Sequence, residues 1–175
     1  MTRVLLDRRS FLEAGGLSLA GLWALPPLGL PPEEVVILLR SDTTGARAWF
    51  EPRGVAVPPG TRIRWVLESG VHTTTAYHPR NGNAPCRIPE GATPWDSGHL
   101  LEAGESFTVT LTVPGVYDYF CAPHEAAGMV GRIVVGQPGA PPHFPAMRAE
   151  WRALPPAAAR AFPEVADVLR HRSVG

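Results

Sequence analysis

The chain of 175 residues has no lysine, so all 16 of its basic residues are arginine. Sixteen acidic residues balance them, and the formal charge is zero. No basic stripe runs along the sequence, which argues against a nucleic-acid partner. Cysteine is scarce: Cys86 and Cys121 are the two present, so at most one disulfide can form. There are three methionines and six histidines, and no two histidines stand as a His-x-His pair. The longest apolar run, Ala14–Leu25, is short of the roughly 20 residues that a membrane-spanning helix needs. Turn formers, in contrast, are plentiful. Twenty Pro and 18 Gly imply many turns and short elements, as in an all-β chain. An apolar content of 45% is enough for a real core, and the length suggests one domain with additions.

One stretch concentrates the chemistry. Tyr117 to Val135 holds Cys121, His124 and Met129 at the spacing Cys-x2-His-x4-Met, with apolar or aromatic residues on both sides. Thiolate and thioether are soft ligands, and imidazole suits copper. Two His and one Cys with a weak axial Met form the blue-copper arrangement. The second His is missing from the stretch, and His72, about 50 positions earlier, is the best candidate. If Cys121 binds metal, Cys86 is a free thiol. If it does not, a Cys86–Cys121 disulfide is the alternative.

Tyr119-Phe120-Cys121, Pro123-His124 and Gly128-Met129-Val130-Gly131 resemble the copper loop of plastocyanins, with relatives in halocyanins, pseudoazurins and amicyanins. Phe50 to Trp65, leading to Val71-His72, resembles the upstream part of the same cupredoxin family. The resemblance spans roughly residues 33–136. It implies a cupredoxin-type Greek-key β-sandwich holding one copper per chain on His72, Cys121, His124 and Met129. It also implies a role as a mobile, monomeric electron carrier. A redox donor and acceptor would then dock transiently near His124, among Pro123, Ala126, Ala127 and Gly128. Two positions depart from the family's habit. Thr73 stands where Asn usually follows the first His, and Phe120 stands where plant members carry Tyr before the ligand Cys. A copper enzyme would need further His ligands, of the His-x-His kind that is absent here. A copper store or chaperone, or an accessory subunit of a copper enzyme, is the alternative reading. A store would favour exposed, Met- or Cys-rich sites.

Three segments are expected along the chain. Residues 1–30 carry Asp7-Arg8-Arg9-Ser10-Phe11-Leu12, a twin-arginine pattern, followed by the short apolar run. This is the layout of an export signal. It implies a periplasmic protein, or one held at the outer face of the cytoplasmic membrane. No clean Ala-x-Ala precedes Pro26-Pro27, so an uncleaved N-terminus would act as a membrane tether.

Residues 31–136 form the copper domain. Val35–Leu39, Ala48–Phe50, Val55–Val57, Thr61–Glu68, Val71–Tyr77, Glu105–Val113, Val116–Cys121 and Met129–Val135 read as strands. In Thr61–Glu68, Ile63, Trp65 and Leu67 alternate with Arg62, Arg64 and Glu68, the period of a half-buried strand. Residues 78–104 form a long connection holding His78, Cys86, Trp95 and His99, which receive no ligand role. Residues 137–175 read as a Pro/Gly linker and a helical tail. Its helices are expected at Pro145–Leu154, with Met147, Trp151 and Leu154 on one face, and over about 157–171. Pseudoazurins are similar in appending two helices to the sandwich.

Pro123 has no N–H to offer the Cys121 sulfur, which leaves the Thr73 N–H as one candidate donor. Fewer hydrogen bonds to the thiolate leave more charge on sulfur and lower the potential.

Overall fold

The computed structural model describes residues 33–136 and 144–175. Residues 1–30, where an export signal is expected, and linker residues 137–143 lie outside the described residues. In chain order the strands are β1 (Glu34–Ser41), β2 (Ala48–Glu51), β3 (Gly54–Val57), β4 (Thr61–Leu67), β5 (Thr75–Ala76), β6 (Ser106–Leu111), β7 (Gly115–Phe120), β8 (Val130–Val135) and β9 (Ser173–Val174). A 3-10 helix (Ala122–Ala127) joins β7 to β8, and helices α1 (Pro156–Ala161) and α2 (Val165–His171) precede β9.

The strands form two sheets, ordered β2-β1-β4-β6 and β5-β7-β8-β3-β9. β1 runs parallel to β4 and β3 parallel to β8, while the other pairings are antiparallel. The period-two pattern of β4 is realised directly. Ile63, Trp65 and Leu67 are buried, and Arg62 is exposed. In the ladder, Trp65 stands opposite Ile37 of β1 and Phe107 of β6. Facing them across the sandwich are Tyr117, Tyr119, Ile133 and Val135 from the second sheet. Trp65, Trp95, Tyr119 and Phe50 form an aromatic cluster with ring centroids 4.7–6.2 Å apart. Gly131 admits this close approach, since a Cβ there would enter the Tyr119 ring.

The second sheet is buried on both faces, because the C-terminal segment covers its outside. Val168 packs on Val116 and Val134, and Ala158 packs with Tyr77, Phe120 and Val130. A charged group anchors the same face. Asp118, fully buried, accepts from Arg132 Nε at 2.7 Å and lies 2.6 Å from Arg87 Nη2. Arg132 Nη1 donates to the Pro163 carbonyl at 2.7 Å. The Arg87 guanidinium lies over the Phe144 and Phe162 rings at 4.4 and 4.9 Å.

Three expectations need correction. Pro145–Leu154 is not a helix. Ten residues make a marginal helix without packing, and Met147 is 57% exposed. The segment is instead irregular, with a turn closed by Trp151 N–H on the Arg148 carbonyl at 3.1 Å, and Arg152 N–H donates to the Asn83 carbonyl at 2.8 Å. The segment from about 157 to 171 is two helices, α1 and α2, because Pro163 disfavours helical backbone at Phe162. The expected strand Val71–Tyr77 is also shorter, with only Thr75–Ala76 pairing as β5. His72 is held by an isolated bridge to Leu100 instead.

Candidate metal centre

The site lies where three pieces of chain meet. β7 delivers Cys121 at its end, and the 3-10 helix carries His124. The chain then turns at Gly128, in the left-handed region at φ 91°, and rejoins the sheet at Met129. Cys121 N–H donates to the Met129 carbonyl at 3.0 Å, which closes the loop at its base. His72 enters from the other side. Its backbone exchanges hydrogen bonds with Leu100 at 3.2 and 2.8 Å. Leu100 belongs to the long 78–104 connection, which thereby fixes a candidate ligand without supplying one.

Three donor atoms converge. His72 Nδ1 lies 3.2 Å from His124 Nδ1, and Cys121 Sγ lies 3.5 and 3.4 Å from those two nitrogens. The centre of that triangle is about 1.9 Å from each atom, near the roughly 2.0–2.1 Å of a metal–nitrogen bond and somewhat under the roughly 2.3 Å of a metal–sulfur bond in zinc sites. Among the described residues, this is the cluster of His, Cys, Asp and Glu that fits a metal ion. His72 and Cys121 are fully buried, and His124 is half-buried. Met129 is buried at the loop's end.

The site also suits a metal electrostatically. Burial, and then the neighbouring His124, pushes the His72 pKa down to about 4, so the ring is neutral at neutral pH. A neutral imidazole keeps a lone pair for a metal. The Ser41 hydroxyl meets the other ring nitrogen, Nε2, at 3.0 Å, which leaves Nδ1 to face the site. Ser41 is itself tied to Ser69, through Ser41 N–H to Ser69 Oγ and Ser69 Oγ–H to the Ser41 carbonyl, both 2.9 Å. Gly70 makes room for this pair, because a Cβ there would lie 2.5 Å from Ser41 Oγ and 2.8 Å from His72 Nε2. Such outer partners fix ring orientation in metal sites. Burial pushes the Cys121 thiol up, and the Thr73 N–H works against that shift.

Thr73 is the joint between the two halves of the site. Its N–H donates to Cys121 Sγ at 3.4 Å. Its hydroxyl oxygen accepts from Ala122 N–H at 2.8 Å. The hydroxyl is also 3.0 Å from that of Thr75, which donates to Asp96 Oδ1 at 3.1 Å. The Asn-to-Thr departure therefore leaves the two loops hydrogen-bonded. Among the remaining residues, His78 and His99 stand outside the cluster. Cys86 is a free, half-buried thiol, and Cys121 is also unpaired. Ser41, Leu100 and Glu125 escaped sequence reasoning. For Glu125 alone a signal exists, since it is an acidic residue inside an otherwise apolar loop.

A two-sheet sandwich with a buried Cys–His–His cluster at one end defines a small metal-binding β-protein of cupredoxin fold. A sequence profile of copper-binding proteins of the plastocyanin/azurin family matches residues 38–136. The plastocyanin of Mercurialis perennis is 35% identical over 100 residues, covering 57% of this chain and 97% of that protein. The pseudoazurin of Paracoccus pantotrophus is 34% identical over 117 residues, covering 67% of this chain and 72% of that protein. The solved pseudoazurin from Sinorhizobium meliltoi is 34% identical, with a TM-score of 0.48, over 61% of this chain and 76% of that one. The chain belongs to the plastocyanin/azurin family of copper-binding proteins.

The joint at Thr73 yields a test. Thr73→Val keeps the shape but removes the acceptor for Ala122 N–H. Losing a part-buried hydrogen bond of this kind costs about 0.5–1.5 kcal/mol. Urea unfolding of the metal-free protein should show a loss of that order for Thr73→Val and a much smaller one for Thr73→Ser. Equal stability in the two variants would deny the hydroxyl its role.

Proposed function

We propose that this protein is a single-copper, blue electron carrier, exported from the cytoplasm and working between two redox proteins. His72, Cys121 and His124 would hold the copper strongly, and Met129 would be a weaker fourth donor. The observation that carries this reading is the convergence of Cys121 Sγ with the two Nδ1 atoms in a buried triangle. Bound copper would supply a one-electron couple between Cu(I) and Cu(II), whose preferred geometries differ. The chain's part is to hold one donor arrangement for both states. Ser41 orients His72, Thr73 joins the two loops, and burial keeps water from His72 and Cys121.

His124 is the route outward, since it is the candidate strong ligand that is not fully buried. Pro123, Ala126 and Ala127 beside it are exposed. Val71 and Leu101, 43% and 62% exposed, flank the His72–Leu100 bridge at the same end. An apolar, uncharged rim of this kind suits weak, short-lived redox encounters. Leu101→Glu should slow electron exchange with a protein partner and leave the visible spectrum unchanged. An unaltered rate would move the docking face elsewhere.

Export rests on Arg8-Arg9 and the apolar run after it. Replacing both arginines by lysine should leave folded precursor in the cytoplasm, as cell fractionation would report. Normal export of that variant would point to another route.

The function itself is tested by redox titration. Oxidised, copper-loaded protein should carry one intensely blue copper per chain. Met129→Leu removes an axial donor and should raise the potential, whereas Met129→Gln supplies a harder oxygen and should lower it. Met129→Leu should stay folded, because hydrophobic swaps of similar volume cost less than about 1.5 kcal/mol. If neither substitution moves the potential, Met129 is an ordinary core residue.

A further inference from the structure

A buried carboxylate sits on the ligand loop without belonging to the metal cluster. Glu125 follows His124 directly, and only 7% of it is exposed. Tyr77 O–H donates to Glu125 Oε1 at 2.8 Å. Arg152 Nη1 donates to the same oxygen at 2.9 Å, and Arg152 Nη2 lies 2.8 Å from Oε2. This is a two-point guanidinium–carboxylate pair, the geometrically specific kind. Burial, and secondly the Glu125 carboxylate, pushes the Tyr77 phenol well above its ordinary range, so it remains an O–H donor.

Arg152 comes from the C-terminal segment, not from the sandwich. Its guanidinium also lies over the ring of Phe120, 5.1 Å from the centroid, and Phe120 immediately precedes Cys121. α1 then closes on the far end of the loop. A Cβ at Gly128 would stand 3.4 Å from the Ala157 carbonyl oxygen and 3.5 Å from Ala161 Cβ. The ligand loop and the residue before it are thus gripped at Phe120, Glu125 and Gly128 by residues 152–161.

An apolar residue at position 125 would fill this space without the cost of removing a carboxylate from water. The ion pair repays that cost only with Arg152 in place, which ties the position of residue 125 to the C-terminal segment. His124 is its neighbour in a 3-10 helix of six residues, so the tie extends to the His124 ring. We propose that Arg152, Glu125 and Tyr77 form a clasp that makes the C-terminal segment a working part of the metal centre, with all three acting as positioning residues for His124. The inference rests on the ligand assignment given above.

The test uses the full chain, copper-loaded and metal-free, at a temperature where circular dichroism shows every variant folded. Arg152→Ala should lose Cu(I) to a chelator about 10-fold faster than wild type, the lower end of what removing an outer partner of a metal site costs. Arg152→Lys, which keeps the charge and loses the fork, should fall between. Tyr77→Phe keeps the ring packing and should move the same way by less. The ratio of the visible charge-transfer bands should change with them. In the metal-free protein, amide hydrogen exchange over residues 122–128 should quicken. Arg148→Ala, an exposed arginine of the same segment, should match wild type. Wild-type chelation rates, bands and exchange in both Arg152→Ala and Tyr77→Phe would overturn the clasp. If Arg152→Ala does not fold, Tyr77→Phe decides alone. A failure of the ligand assignment would look different, since wild type itself would then bind no copper or show no blue colour.

Discussion

The metal centre depends on Thr73, where two distant stretches of chain are joined. The same residue gives its N–H to the Cys121 sulfur and its hydroxyl oxygen to the Ala122 N–H. Beside those two hydrogen bonds, the sheet pairing at Thr75–Phe120 and Ala76–Tyr119 and the Tyr77–Glu125 bond tie the stretch after His72 to the 121–129 loop. A site made of three donors needs its distant donor held as firmly as its local ones. The Leu100 bridge and the Ser41 contact complete that hold on His72. The long connection over 78–104 is therefore a brace, anchored in the core by Trp95 and Leu100.

Rigidity on the other side of the loop comes from the C-terminal segment. It covers the outer face of the second sheet, and so makes an interior out of what would be a solvent-facing surface. This explains why Asp118 and Arg132 are buried charged residues of β7 and β8. They satisfy each other and, through Pro163, hold the covering segment in place. Breaking a buried pair of this kind costs about 3–5 kcal/mol when one charge is left alone. The sandwich and its tail are thus energetically one unit, although the sequence reads as a domain with an appendage.

What was legible in the sequence follows the same physics. β4 could be read from alternation because one of its faces meets solvent, as Arg62 does, while Ile63, Trp65 and Leu67 face the core. The spacing of Cys121, His124 and Met129 was legible because one short loop carries all three. Nothing local marks His72 as a ligand; the resemblance points to it, and the structure brings its Nδ1 beside His124 and Cys121. The helix expected over Pro145–Leu154 was misread, because its periodic apolar residues do not share a buried face and Arg152 is drawn to Glu125 and Asn83. Ser41 and Leu100 could not be found at all. Their roles depend on contacts made across 31 and 28 positions of chain, which no local pattern encodes.

X-ray absorption of the copper-loaded protein reads the atoms around the metal. The spectrum should show one copper per chain with one short sulfur neighbour and two imidazole nitrogens, and that sulfur should be lost in Cys121→Ser. A copper with no short sulfur bond, or a Cys86–Cys121 disulfide in the freshly loaded protein, would contradict the ligand assignment.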